Sequence, residues 1–245
     1  MKNTLQLLTE HVSVRDFKPV NLPQETKDKL LIAARSASSS HFVQSFSIIE
    51  ITDSSLREQL ANITESASYV KTTGTFYVFV ADLYRQSRLL TEAGESLDGL
   101  SNMESLIVSI VDTTIAAQNM VVAAESMDLG ICYIGGIRND IEQVAQLLNL
   151  PAYTVPLFGL TVGVPQTKNQ VKPRLLAKNQ VSENTYDIEG FTDLSDYEAV
   201  SKTYYANRET NQQTSTWSSK NIEFFKHIRR PEIADFLKAQ GFSLT

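Results

Sequence analysis

A chain of 245 residues forms one large domain or two modest ones and can bury a substantial core. Its 42% hydrophobic and 20% charged content describes a folded globular protein and excludes a disordered one. The net charge of −6 argues against a general nucleic-acid or anionic-membrane binder, since both need a basic surface.

Cys132 is the only cysteine, so no intrachain disulfide can form. The opening "MKNTLQLLTEHVSVRDF" has a lysine but no apolar run of signal-peptide length, and a cytoplasmic location is expected. Within it, "HVSVRDF" sets His11, Ser13 and Arg15 at alternate positions, which in an extended chain share one face. "NLPQETKDKLLIAARSA" predicts a helix opened near Pro23, with Leu30, Ile32, Ala33 and Ala37 as apolar positions. "SSSHFVQSF" follows, and "SIIEIT" has strand character. "DSSLREQLAN" predicts a short helix capped by Asp53. "TFYVFVADL" is a dense aromatic and β-branched run, expected as a strand buried on both faces.

A polar gap with Gly94 and Gly99 precedes "ESLIVSIVDTTIAAQNMVVAAESMDLG". Asp112, Gln118, Asn119 and Glu125 interrupt this apolar run, so it reads as a central helix buried on most sides rather than a bilayer span. Gly130 is placed to end it as a C-cap. "ICYIGG" is the next strand. "RNDIEQVAQLLNL" predicts a helix capped by Asp140, with Ile141, Val144, Leu147 and Leu148 on its apolar side and Pro151 after it. "VPLFGLTVGVP" is another buried strand, ending at Pro165. Beyond it, "PQTKNQVKPRL" is basic and polar, and residues 190–245 alternate helix-like pieces with the linker "NRETNQQTSTW". This pattern predicts an α+β core over residues 1–165 and a C-terminal extension over 166–245. Such an extension has too little apolar surface to fold alone, so it completes its own core or wraps a partner subunit.

Conventional catalytic signatures are scarce. His11, His41 and His227 lie far apart with no cysteine or carboxylate at metal-ligand spacing. "SYVK", Ser68 to Lys71, matches the S-x-x-K of acyl-serine enzymes but lacks its S-D-N and K-T-G companions. Neither a P-loop nor G-x-G-x-x-G occurs. Four anion-compatible or backbone-donor segments remain: "HVSVRDF", "ARSASSSHFVQ", "YIGGIRND" and "VKPRL". Gly135 and Gly136 follow a strand, where the missing Cβ lets a flat ligand approach backbone N–H groups. Each segment alone also has an ordinary reading: a strand edge, a helix end, a turn, a surface loop.

In this order, H-x-S-x-R-x-F, A-R-x-x-S-S-S with F-x-Q, Y-I-G-G-x-R-N and K-P-R-L resemble the FMN-dependent, oxygen-insensitive NADPH nitroreductase and flavin reductase family. The resemblance spans essentially the whole chain, including "SIIEITD", "VDTTIAAQN", "AAES", "PLFGL" and "RRPEIADFLKAQGF". It implies a nitroreductase-like FMN-binding α+β fold, with a central, mostly antiparallel sheet among helices, in a domain-exchanging homodimer. The implied FMN contacts begin with His11, Val12, Ser13, Val14 and Arg15. His11 and Ser13 would lie toward the phosphate, and Arg15 at the pyrimidine edge, where a cation stabilises the negative charge of the reduced ring. Lys172, Pro173 and Arg174 match a second phosphate clamp. Tyr133, Ile134, Gly135 and Gly136 match the segment against the isoalloxazine, and Ser39, Ser40 and Gln44 one supplied by the partner subunit. Arg208 and Arg230 match positions associated with nicotinamide-nucleotide binding.

The implied chemistry is ping-pong hydride transfer from NADPH or NADH, through FMN, to nitroaromatics, quinones or other small electron acceptors. It needs no side-chain nucleophile. Two departures stand out. Ala67 in "ESASYV" replaces a glutamine of the family's Gly-Gly-Gln stretch and cannot hydrogen-bond to the flavin through its side chain. Gln212 and Gln213 stand where a second Arg-rich stretch is expected. Losing a charged phosphate contact costs about 1.5–3 kcal/mol, so NADPH use with weaker discrimination against NADH is expected. The alternatives are a flavin reductase that supplies reduced FMN and a non-catalytic FMN carrier or sensor. A hydrolase built on Ser68 and Lys71 would be colourless.

Overall fold

The computed structural model describes residues 3–208 and 212–243. The elements run α1 (Thr4–Thr9), β1 (Asp16–Phe17), α2 (Gln24–Arg35), β2 (Phe46–Glu50), α3 (Ser54–Ile63), α4 (Ala67–Thr72) and β3 (Thr75–Asp82). Next come α5 (Tyr84–Ala93), α6 (Asp98–Ser101), α7 (Met103–Ser126), β4 (Gly130–Ile134), α8 (Ile141–Leu147), β5 (Thr154–Gly163) and β6 (Pro165–Thr167). The last are α9 (Ile188–Thr192), α10 (Ser195–Ala206), α11 (Trp217–Phe225) and α12 (Ile233–Ala239). They form two compact units: the described residues of Met1–Asn169 with Arg230–Thr245, and those of Gln170–Arg229.

The first unit is built on a four-stranded antiparallel sheet in the order β2-β3-β5-β4. All eight residues of β3 are buried, as its apolar run requires. Side chains alternate across a strand. Tyr77 and Phe79 therefore pack with Leu30 and Ala34 of α2 and Ala117, Met120, Val121 and Ala124 of α7. Phe76, Val78 and Val80 point the other way, into Leu60, Ala61, Val70, Ile137 and Val144. A third cluster joins Leu100, Leu106 and Val155 to Phe236 and Phe242, so the chain returns to this unit after residue 230. Asp53 and Asp140 cap their helices as expected, accepting from the N–H groups of Leu56 (2.7 Å) and Gln143 (2.9 Å).

Three expectations are corrected. Gly130 does not cap α7: Asp128 takes the left-handed turn at φ 60° and the Leu129 N–H returns to the Ala124 carbonyl. Gly130 opens β4 instead, where an added Cβ would lie 2.6 Å from the Val14 side chain. Nor is α7 buried on most sides. It is long and apolar enough to cross a membrane, and its inner face packs on α2 and the sheet. Yet Ile107, Ile110, Val111 and Ile115 form a stripe 37–47% exposed. The polar gap before α7 is also not open chain, because it holds α5 and α6, and Gly94 ends α5 in the left-handed conformation at φ 73°.

In the second unit, Tyr197 and Tyr205 of α10 are buried and Tyr197 meets Trp217 of α11 edge-on at 6.1 Å. Glu198 accepts hydrogen bonds from the Ser218 N–H and hydroxyl. Ile222, Phe224, Phe225 and Ile228 remain exposed. Of the linker expected over "NRETNQQTSTW", Glu209 to Asn211 lie outside the described residues.

Candidate functional site

The segment from His11 to Phe17 is only partly a strand. Ser13 makes a single parallel bridge to Ile131 of β4, and regular pairing with β6 starts at Asp16. Val14 and Phe17 are the buried positions, so strict alternation stops after Arg15. The single-face expectation for the three polar residues is also divided by their partners. His11 Nδ1 lies 2.6 Å from Glu125 Oε1 in the last turn of α7. Ser13 and Arg15 instead act on Cys132 of β4: burial pushes that thiol up, against the pull of the Arg15 guanidinium and the Ser13 hydroxyl. Arg15 is exposed, and no carboxylate among the described residues pairs with it.

Downstream, β4 delivers the "YIGG" segment. Tyr133 turns toward α7, donating to Gln118 Oε1 at 3.3 Å and meeting Phe158 edge-on at 5.2 Å. Burial, aided by Glu125, pushes its phenol up to about 12. Ile134 is buried in the opposite cluster, so both side chains are committed to the core. The two glycines then differ, which corrects the expectation that both lie open to a ligand. An added Cβ at Gly136 would sit 2.3 Å from the Thr64 carbonyl oxygen, so its missing side chain serves close packing on the α3–α4 turn. At Gly135 the same atom would meet only an Arg138 nitrogen, at 3.6 Å.

Asn139 stands at the end of this turn, donating to the Ile63 carbonyl (3.1 Å) and accepting from Arg230 Nε and Nη2 (3.1 and 2.7 Å). Arg138 donates to the Leu157 carbonyl, and burial, with the nearby charge of Arg230, lowers its guanidinium pKa. Ala67 begins α4 and packs, half-buried, on the cluster of Phe76 and Ile134. Lys71 pairs with Glu58 at 2.7 Å, which takes the general base from any hydrolase reading of Ser68.

The serine segment is a rigid loop. His41, Phe42 and Gln44 have φ of 46°, 58° and 50°, left-handed values that cost a residue with a Cβ about 1–2 kcal/mol each. Asp112, 1% exposed on α7, offsets that strain. It accepts from the Ser39 hydroxyl (2.6 Å), the Ser40 N–H (3.1 Å) and both the N–H and hydroxyl of Ser45 (3.1 Å each). Arg85 of α5 holds the loop's far end through the Gln44 and Phe46 carbonyls. Sequence reasoning treated Asp112 and Glu125 as interruptions of an apolar helix. The signal available was that a carboxylate in such a run must find donors.

The second unit carries its own cations. Lys172 and Arg174 are exposed, flank Pro173 and line a cavity of about 200 Å³ with Tyr197 and Trp217. The Tyr197 hydroxyl donates to the Pro173 carbonyl at 2.9 Å, fixing the chain between them. Lys220 lies 3.6 Å from the Tyr205 ring centroid and Lys172 5.4 Å from it. Burial would raise the Tyr205 phenol, but hydrogen bonds from these two lysines hold it below its ordinary value. Arg208 stacks over Tyr204 at 5.9 Å, while Gln212 and Gln213 are exposed.

The sequence matches the Nitroreductase family over residues 8–164 and that family's C-terminal domain over residues 172–245. The chain belongs to the nitroreductase family. Among its relatives, an FMN reductase (NADPH) from Bacillus subtilis is 40% identical, with 99% of each chain covered. An oxygen-insensitive NADPH nitroreductase from Salmonella typhimurium is 39% identical, again over 99% of each. The solved NfrA1 nitroreductase of B. subtilis superposes with a TM-score of 0.94 at 39% identity, covering 98% of this chain and 99% of that one. These findings bear out the α+β nitroreductase fold expected from the motifs.

For a nitroreductase, the cofactor to test against these residues is FMN. The residues fit such an anionic ligand in each unit taken by itself: Arg15 in the first and Lys172 and Arg174 in the second are cations without carboxylate partners among the described residues. Gly135 adds a stretch of backbone with room for a flat ring. Among the described residues no His, Cys, Asp and Glu group is arranged to hold a metal ion.

Proposed function

We propose that this nitroreductase is an FMN-dependent NAD(P)H oxidoreductase of small electron acceptors, such as nitroaromatics and quinones, that works as a homodimer. The observation that carries the reading is that the cations at the positions matched to flavin binding, Arg15, Lys172 and Arg174, have no carboxylate partner among the described residues. The full-length similarity to an FMN reductase and an NADPH nitroreductase supports it.

FMN, when bound, supplies a two-electron carrier that takes hydride from a nicotinamide and passes it to an acceptor. The chain's own residues bind and tune. Lys172 and Arg174 neutralise a phosphate dianion that is otherwise costly to enclose. By the family resemblance, Arg15 would put positive charge at the pyrimidine edge and His11 and Ser13 would hold the phosphate, while Gly135 would leave backbone open to the ring. Arg230, held by Asn139, and Arg208 serve the nicotinamide nucleotide. No side chain need form a covalent bond, which suits a chain whose one cysteine is buried.

Dimerisation accounts for the apolar stripe on α7 and for the exposed Phe224, Phe225 and Ile228 of the second unit. In this reading the extension over residues 166–245, apart from the stretch after residue 230 that packs in its own first unit, would complete the flavin site and embrace the other subunit, and Ser39, Ser40 and Gln44 would reach the partner's flavin. A cytoplasmic location fits a reaction driven by NADPH. A second reading, a flavin reductase that releases reduced FMN, is favoured by the name of the B. subtilis relative.

Visible absorbance of the purified protein, followed anaerobically as NADPH or NADH is added, tests the proposal. A yellow protein bleached by either nucleotide is expected. A protein still colourless after incubation with FMN would overturn the reading, and a yellow one that neither nucleotide bleaches would be a carrier. Loss of flavin on gel filtration, with turnover restored by added FMN, would favour the reductase.

A further inference from the structure

We propose that Asp112 is a positioning residue for the flavin site of the opposite subunit, acting through the Ser39–Ser45 loop. The proposal rests on the dimeric flavoprotein reading above and names a group that reading leaves out. A buried carboxylate is costly unless donors fill its oxygens. Here no cation among the described residues does so. The donors are two serine hydroxyls and two backbone N–H groups, all from one loop: Ser39, Ser40 and Ser45. The Ser39 hydroxyl in turn accepts from the Gln44 N–H at 2.7 Å. One carboxylate thus ties together both ends of a seven-residue loop whose middle is forced left-handed at three residues with side chains.

The first unit makes little use of what the loop presents. Phe42 is 77% exposed and Gln44 is exposed as well. A loop serving only its own core would turn its aromatic inward and relax its backbone. This one uses a buried carboxylate to hold an aromatic and an amide outward in a single conformation, an arrangement suited to a ligand beyond its own fold. In the dimer, that ligand is the flavin bound to the other chain.

Asp112→Asn keeps the shape but turns one acceptor oxygen into an NH2 group facing N–H and hydroxyl donors. The expected result is FMN binding weakened about tenfold or more, with sedimentation mass and far-ultraviolet circular dichroism unchanged. Ser45→Ala removes one of the four donors and should weaken FMN about threefold. The decisive measurement uses heterodimers isolated with two affinity tags, one chain Asp112→Asn and the other Lys172→Ala/Arg174→Ala. If Asp112 acts across the interface, the clamp of the first chain meets the loop of the second, and one FMN per heterodimer binds with wild-type affinity. No recovery would show an effect confined to its own subunit and overturn the proposal. Wild-type affinity in both single variants would overturn it too, leaving the flavoprotein reading intact. If Asp112→Asn does not fold, Ser45→Ala takes its place in the heterodimer with the same two outcomes. A wild-type chain that binds no FMN, or stays monomeric, overturns the proposal together with the reading beneath it.

Discussion

At Gly136 one absent Cβ decides how closely two segments pack. The Thr64 carbonyl occupies the space a methyl would need, at 2.3 Å, and backbone cannot swing aside as a flexible side chain would. Gly136→Ala should therefore cost about 1–3 kcal/mol, the usual range for overpacking. Gly135→Ala, whose Cβ meets only an Arg138 nitrogen at 3.6 Å, should change stability far less. Denaturant midpoints of the two variants without flavin check this, and equal losses would contradict the packing argument. The sequence offers "YIGG" as a turn suited to a ligand, but it does not reveal the unequal packing of its two glycines. Thr64 lies 72 positions earlier in the chain, and no local pattern announces such an approach.

At the scale of elements, α7 shows the limits of composition. Its apolar run suggests burial on most sides, yet among the described residues one apolar face is left uncovered. The uncovered residues, Ile107, Ile110, Val111 and Ile115, recur at helical spacing, which makes a continuous stripe. Ile110→Asp should leave the subunit folded, because Ile110 is already 37% exposed, and should split the proposed dimer, because an unpaired carboxylate in a closed apolar interface is costly. Sedimentation velocity would then show monomers at concentrations where the wild type is dimeric. A dimer of unchanged affinity would place the interface elsewhere. The loop from Ser39 to Ser45 makes the complementary point. Its serines stand out in the sequence, whereas its shape depends on an anchor 73 residues from Ser39.

For the molecule as a whole, the proposed reading makes the choice of reductant depend largely on charge around Arg208. Arg208 is present over Tyr204, and Gln212 and Gln213 are exposed but uncharged. A single charged contact to a 2′-phosphate gives roughly ten- to hundred-fold preference. Steady-state kinetics should therefore show NADPH preferred in kcat/KM by well under a thousand-fold. A larger preference would mean that other residues of the chain grip the phosphate.

What the sequence determined by itself was whatever rests on near neighbours or on an ordered set of motifs. The caps at Asp53 and Asp140 need a partner three residues away, the buried β3 needs only its own composition, and four motifs in order sufficed for the family. Tertiary structure alone decided that Asp128 rather than Gly130 turns the chain after α7, that Glu125 meets His11, and that Asp112 holds the serine loop. The reason is the same in each case. A polar group's chemistry can be read from its residue type, but its partner is chosen by the path of the folded chain, and His11 and Glu125 stand 114 residues apart.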